Sequence, residues 1–446
     1  MNDSPRHASH LLAQPKVLAW AMYDWANSAY TTLMITVLVA YIQRVVFPTD
    51  QWGTTGAVIW AWGISLSMLV GALLAPVVGA MADARGNKRE WLGVTALTGS
   101  ACGIAIGLVP ATNYVLVVAL FLAANLMLEL SLGIYDGFLP EIVGEDDVAK
   151  ASAWGYGLGY VGGGIALLIA MLFLAFGERI GLSTVASRLQ ASLVLMGAWW
   201  GIFTLPAIIV LRDSSPGSLS QPADDVPEAS SLDLITKSAR DVGSTIRDLK
   251  TNVPLAFFLL SFLFFNDGVQ TVISQASTFA LQELSFDEAG LMAVILMIQF
   301  LAFPGALAIA WIATKFGEKT TLMGCIAVWS LVLVVALRIQ TQAEFWILAA
   351  VIAIVLGGTQ AVSRAIMSRM IPEGENAKYF GLFHLSGKAT SFLGPFLFGA
   401  IVAFTGSSRL AIFGLLPLFL IGGWLLLRVK LERKALETVQ NPKRVC

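Results

Sequence analysis

Apolar runs of about 20 residues recur along the whole of this 446-residue chain, each enough to cross a hydrocarbon core of roughly 30 Å. Twelve spans are predicted, at 17–42, 54–80, 90–110, 114–138, 152–176, 189–211, 254–282, 288–313, 319–337, 344–366, 377–403 and 408–428. Hydrophobic residues make up 57% of the chain, charged residues only 13%, and mean hydropathy is +0.75. Such values exclude an ordinary soluble enzyme and predict an all-α membrane protein. A net charge of −1 without a basic arm gives no reason to expect a nucleic-acid partner. Cys102 and Cys325 lie within apolar runs and Cys446 is the last residue, with no metal or disulfide spacing among them.

The polar stretch 212–253 divides the spans six and six. The organisation read from this is a tail at 1–16, a six-helix bundle at 17–211, a linker at 212–253, a second six-helix bundle at 254–428 and a tail at 429–446. The linker is rich in Ser, Pro, Asp and Lys, with an amphipathic stretch near 232–249. The first 16 residues lack the short apolar core and cleavage site of a signal peptide, so the first span is expected to direct insertion itself. With the N-terminus inside, only Arg44, Arg179, Arg188, Arg338 and Arg409 fall outside, and Lys388 falls within a span. That bias predicts cytoplasmic termini and a cytoplasmic linker.

One polar pattern occurs twice. Asp24, Asn27, Ser28 and Thr31 are spaced i, i+3, i+4 and i+7, and Asp267, Gln270, Thr271 and Ser274 repeat that spacing 243 residues later. On a helix these offsets share one face, and such a face in a membrane looks at water, protein or a ligand rather than lipid. The duplication continues: Gly86 matches Gly317, Lys88 matches Lys319 and Glu129 matches Gln360, all 231 residues apart. Two like halves in parallel repeat are the layout of major facilitator transporters, whose site lies near mid-membrane between the halves.

Ionisable groups within spans cost about 2.5–3.5 kcal/mol each on insertion scales, so each needs a reason. Asp24 is on span 1, Glu129 on span 4, Asp267 on span 7, Gln360 and Arg364 on span 10, and Lys388 on span 11. With Asn27 and Gln270 they are the candidates for lining a substrate or proton pathway. Glu129 shares a face with Asn125 and Asp136, and Lys388 shares one with His384 and Ser391. A carboxylate in a water-poor cavity suits proton carriage, with Asp267 or Glu129 first, and both signs together suit a zwitterion. The same residues also fit structural ion pairs, Asp24 or Glu129 with a basic residue and Asp267 with Lys388. Gly155, Gly159 and Gly163 form a small-residue ridge on span 5 that lets a neighbour approach closely, and Gly394 and Pro395 are expected to bend or thin span 11. Trp52, Trp60, Trp62, Trp199, Trp200, Trp311 and Trp346 fall toward span ends, where interface anchors are expected.

The loop after span 2 carries Gly79, Asp83, Arg85, Gly86, Lys88 and Arg89, and resembles the signature loop of the major facilitator superfamily. A gating role is expected, with Asp83 meeting a helix N-terminus and the bases meeting carbonyls or lipid phosphates. In the second copy Thr314 replaces the acid. Tyr23-Asp-Trp-Ala-Asn-Ser-Ala-Tyr30, Asp267-Gly-Val-Gln-Thr271, Gly357-Gly-Thr-Gln-Ala-Val-Ser-Arg364 and Gly381-Leu-Phe-His-Leu-Ser-Gly-Lys388 with Gly394-Pro395 resemble the autophagy-related vacuolar effluxer family, a branch of that superfamily. The resemblance covers essentially all twelve spans. It implies twelve transmembrane helices in two pseudo-symmetric six-helix bundles and a small-solute transporter, with amino acids as the first expectation. The long loops of fungal members are absent, which points to a bacterial inner (plasma) membrane.

The function expected is alternating-access transport of a small solute, coupled to protons, by a monomer in contact with membrane lipids. A lipid-like or hydrophobic drug cargo on the same fold is one rival, and a sensor or scaffold acting through the linker is another. No metal cluster, nucleotide loop or Ser/His/Asp set stands out in the sequence, so neither catalysis nor a cofactor is expected.

Overall fold

Each apolar run becomes a helix because lipid offers the backbone no hydrogen-bond partner, so N–H and C=O must pair within the segment. A computed structural model of the chain describes residues 14–143, 148–211, 252–370, 383, 387 and 391–429. In chain order the helices are α1 Pro15–Val46, α2 Thr55–Arg85, α3 Lys88–Leu108, α4 Tyr114–Ile142, α5 Val148–Phe176 and α6 Val185–Val210. The second set is α7 Val253–Glu283, α8 Glu288–Phe316, α9 Glu318–Ala336, α10 Gln342–Met370, α11 Leu393–Thr405 and α12 Ser408–Arg428. Among the described residues, all but the short α11 are long and apolar enough to cross a membrane. Twelve of the 27 residues of the expected span 11, His384 and Lys388 among them, lie outside the described residues, as do nearly all of the linker and most of both tails.

Local chemistry sets the ends. Pro15 opens α1, where its missing N–H costs nothing. Thr184 and Ser187 cap α6 reciprocally, the Asn252 side chain accepts from the Leu255 N–H at the start of α7, and Asp287 accepts from the Gly290 N–H at the start of α8. Gly86 and Gly317 join the second helix to the third in each half, with φ of +60° and +85°. A residue with a Cβ rarely adopts that backbone, so the matched glycines mark the same tight turn built twice.

Packing shows the duplication more directly than sequence does. In the first half α1 packs on α5 and α6, α3 on α4 and α6, and α2 on α4. In the second half α7 packs on α11 and α12, α9 on α10 and α12, and α8 on α10. Adding six to each helix number turns the first set into the second. The halves meet through α2 against α11 and α5 against α8, two contacts that the same operation exchanges. The architecture is therefore two pseudo-symmetric helical bundles.

α1 departs from the simple pattern. It carries two π turns, Met34–Leu38 and Ile42–Val46, and runs four residues beyond the predicted end of span 1. A π turn shifts side chains around the helix axis. Here the second one places Gln43 and Arg44 against the opposite half.

Candidate functional site

The first polar stripe faces the glycine ridge of its own half. A Cβ on Gly155 would collide with Asp24 Oδ2, one on Gly159 would lie 2.5 Å from Ser28 Oγ, and one on Gly163 would lie 2.6 Å from Thr32 Oγ1. The ridge is there to let α5 lie on the polar face of α1. Asp24 accepts from the Tyr135 hydroxyl of α4 at 2.7 Å and from Asn27 Nδ2 at 3.4 Å, and Asn27 also donates to the Tyr23 carbonyl at 2.8 Å. Tyr135 is held in turn by Trp20, which stacks on its ring at 4.5 Å and donates to its carbonyl at 3.1 Å. Asp24 also lies within electrostatic reach of Asp136 on α4 and of Arg364 on α10, in the other half.

The second stripe does the same with a different donor. Asp267 is 1% exposed and accepts from the backbone N–H of Gly394, at 3.2 Å to Oδ1 and 3.0 Å to Oδ2. A Cβ on Gly394 would collide with Thr271 Oγ1, so α7 and α11 approach through this glycine as α1 and α5 do through Gly155. Gln270, Gln360 and Arg364 are half-buried. Glu129 is half-buried and its Cβ packs on the α2 backbone at Gly71. Lys388 and its expected pairing with Asp267 lie outside the described residues.

The signature loop resolves into separate contacts. Gly79 is within α2, and the side chains of Asp83 and Arg85 lie outside what is described. Gly86 makes the turn, and Lys88 pairs with the Glu141 carboxylate at the end of α4. Arg89 lies in the first turn of α3. In the other half Lys319 does meet carbonyls, donating to Leu427 at 3.0 Å and Val429 at 2.7 Å at the end of α12.

Sequence reasoning missed the contacts that join the halves. At the end of the bundle where α1 finishes, Gln43 donates to Thr278 Oγ1 at 2.9 Å, Arg44 donates to the Phe286 carbonyl and pairs with Glu288 at 3.5 Å, and Trp60 donates to the Ser274 carbonyl at 3.0 Å. Deeper in, Ser65 donates to the Phe392 carbonyl at 2.8 Å and Gln299 to Thr32 Oγ1 at 3.2 Å. Together these close what we term the Arg44 end. Trp60 and Trp200 are fully buried, against the expectation of interface anchors, because each meets a partner inside the protein: Trp60 stacks on Phe121 and Trp200 packs on Tyr30. Trp52, Trp62 and Trp311 are exposed, as anchors would be. Tyr23 and Tyr30 are also wholly buried within the first half.

Comparison with known proteins follows this geometry closely. The family described as "Vacuole effluxer Atg22 like" matches residues 43–439. The chain belongs to that family. A Bacillus subtilis relative, an uncharacterised MFS-type transporter, is 29% identical over 407 residues, covering 91% of this chain and 92% of the relative. Autophagy-related protein 22-1 of Penicillium rubens is 26% identical over 298 residues, covering 64% of this chain, and autophagy-related protein 22 of Yarrowia lipolytica is 28% identical over 328 residues, covering 66%. The matches cover only 49% and 53% of those fungal relatives, so this Atg22-like chain spans about half their length. Among solved structures, a D-xylose–proton symporter superposes with a TM-score of 0.65 at 13% identity, covering 97% of this chain and 99% of that one. The nucleoside transporter NupG gives 0.64 at 17%, covering 94% and 98%. The xylose transporter XylE of E. coli, inward open, gives 0.64 at 12%, covering 94% and 97%. The Atg22-like chain is thus an integral multi-pass membrane transporter of the major facilitator type.

Proposed function

We propose that this transporter carries a small zwitterionic solute, an amino acid first, by alternating access coupled to protons. The reading rests on Asp24, held in the first half by Tyr135 and Asn27, and Arg364 of the other half, opposite charges that interact weakly across the halves. An α-amino group would approach the carboxylate and an α-carboxylate the guanidinium, so one solute would bridge the halves. Glu129, Gln270 and Gln360 flank the same helices, and Asn27 fixes the Asp24 side chain. Asp24 and Glu129 are the proton carriers in this reading.

The closed Arg44 end supports the alternating part. Gln43 Oε1, Gln275 Oε1 and Ser277 Oγ are buried there without a partner among the described residues. An unsatisfied buried polar atom costs about 1–3 kcal/mol, and water would satisfy it once the halves part. A closure built this way sits close in energy to its open form, as a gate must. The Gly86 end, with both termini and the linker, is cytoplasmic in this reading, the membrane is a bacterial inner membrane, and one chain suffices.

The test is uptake of a labelled amino-acid panel into proteoliposomes, with and without an imposed pH gradient, beside Asp24→Asn and Arg364→Gln proteins. Gradient-stimulated uptake of one amino-acid class, lost in both variants, is the expected result. Uptake of none of them would remove the amino-acid reading. A second reading, hydrophobic cargo, draws on a cavity of about 260 Å³ between α8, α9 and α10, lined by Ile309, Ile312, Phe316, Cys325 and Val328. That cavity lies within one half, so binding there would survive Arg364→Gln.

A further inference from the structure

Asp267 is buried, with 1% of its surface exposed, and its surroundings are unlike those of Asp24. In the first half α5 runs unbroken past Asp24 from Val148 to Phe176. In the second half the chain makes a turn at Ser391–Phe392 and α11 begins at Leu393, with Gly394 and Pro395 in its first turn. The first N–H groups of such a helix point out of its end with no partner inside it, and the helix dipole makes that end favourable for a negative group. Asp267 fills that role from another helix, with both carboxylate oxygens on the Gly394 N–H. Among the described residues it has no ion-pair partner. Pro395 has no N–H of its own, which leaves Gly394 as the donor that can be captured here.

The segment that Asp267 grips is the one that holds the other half. Two residues before Gly394, the Phe392 carbonyl accepts from Ser65 of α2; two residues after it, the Phe396 carbonyl accepts from Trp62 of α2 at 3.3 Å. Trp62 also stacks on the Phe396 ring and lies where a Cβ on Gly399 would be. Residues 392–399 are therefore held on one side by Asp267 in their own half and on the other by α2 of the opposite half.

We propose that Asp267 is a positioning residue that fixes the first turn of α11 and through it locks α11 onto α2, keeping the Arg44 end closed. Among the described residues its hydrogen bonds stay within its own half. Its action runs through the Gly394 N–H to the Phe392 and Phe396 carbonyls. The proposal assigns Asp267 a different job from proton carriage. It rests on the alternating-access reading but on no choice of solute.

The test needs no substrate. In a chain with Cys102→Ser, Cys325→Ala and Cys446→Ser, a Thr278→Cys reporter sits behind Gln43 at the closed end, where Thr278 has no exposed surface. Maleimide labelling of detergent-purified protein then reads how often that end opens. Asp267→Asn keeps an oxygen acceptor for the Gly394 N–H but loses the charge and should label only about threefold faster than the parent, whereas Asp267→Ala should label about tenfold faster or more, the population shift expected for losing one charge-assisted hydrogen bond. Gly394→Ala should open the end with the carboxylate intact, because its Cβ drives α11 off Thr271. Adding Thr271→Ala should restore closure, and this pair carries the test if Asp267→Ala fails to fold. Labelling of Asp267→Asn as fast as of Asp267→Ala would overturn the proposal in favour of a role for the charge itself. Unchanged labelling in Asp267→Ala or Gly394→Ala would overturn it outright. Failure of amino-acid uptake alone would leave all of these outcomes as they stand.

Discussion

Arg44 on α1 and Glu288 on α8 face each other across the two halves, Nε to Oε1 at 3.5 Å, while the same guanidinium donates to the Phe286 carbonyl. Arg44 is 38% exposed and Glu288 13%, so water screens the pair and its worth is about 0.2–1 kcal/mol. Glu288→Gln should therefore raise opening of the Arg44 end about two- to fivefold, measured as labelling of a Thr278→Cys reporter in the cysteine-free chain. The charge-swapped Arg44→Glu/Glu288→Arg protein should recover part of the closure. High salt should speed labelling of the parent toward that of Glu288→Gln and leave Glu288→Gln itself unmoved.

Tyr135 offers a cleaner probe of Asp24 than substitution of Asp24 itself. Tyr135→Phe keeps the ring that stacks on Trp20 and removes only the hydroxyl 2.7 Å from Asp24 Oδ2. A hydrogen bond to a charged group contributes about 1.5–3 kcal/mol, so uptake by Tyr135→Phe should fall roughly tenfold or more if Asp24 works in the charged state. Expression and melting temperature should stay near the parent. Equal uptake would place Asp24 outside the transport cycle.

The spans, the duplication and the glycine ridge were legible in the sequence because each follows from a short-range period: 20-residue apolarity, i to i+4 polarity and repeated Gly-x-x-x spacing. The end of α1 was not, since nothing in residues 42–46 signals a π turn. Gln43, Thr278 and Ser274 escaped notice for a related reason. Their role arises only when α1, α2 and α7 are brought together, and each looks like an ordinary polar residue near a span end. Trp60 was misread because a tryptophan near a span end has the same sequence signature whether it faces headgroups or another helix. The sequence identified Asp24 and Asp267 as special but not what they touch. Gly155 is 131 residues from Asp24 and Gly394 is 127 from Asp267, distances that only the fold closes.

The glycines of α5 should divide by what surrounds them. A Cβ on Gly162 would lie 2.7 Å from the Trp25 carbonyl oxygen and 2.9 Å from its ring, whereas one on Gly157 meets nothing within 4 Å. Backbone moves aside less easily than a side-chain tip, and overpacking of this kind costs about 1–3 kcal/mol. Gly162→Ala should lower the melting temperature of purified protein clearly, while Gly157→Ala should leave it unchanged or raise it slightly through better helix propensity. Similar melting of both would mean that α1 and α5 part readily at this level.

The two halves tie their third and fourth helices together with opposite polarity. Lys88 at the start of α3 pairs with Glu141 at the end of α4, and Glu318 at the start of α9 pairs with Arg369 at the end of α10, at 3.0 Å. The two pairs do not occupy matched positions, since Lys88 corresponds to Lys319, but they join the same two helix ends with the charges exchanged. Glu141→Lys sets two cations against each other at a half-buried site and should destabilise the protein by about 1–3 kcal/mol, lowering yield and melting temperature. Lys88→Glu/Glu141→Lys should recover that loss, with the carboxylate now beside the other helix end. The helix dipole decides the remainder: Glu at position 88 falls at the start of α3, where a negative charge is favoured, and Lys at position 141 falls at the end of α4, where a positive one is. The swapped pair should therefore equal or exceed the parent in melting temperature. A double variant no more stable than Glu141→Lys would show that Lys88 is needed for something beyond this pair, as its place in the signature loop would require.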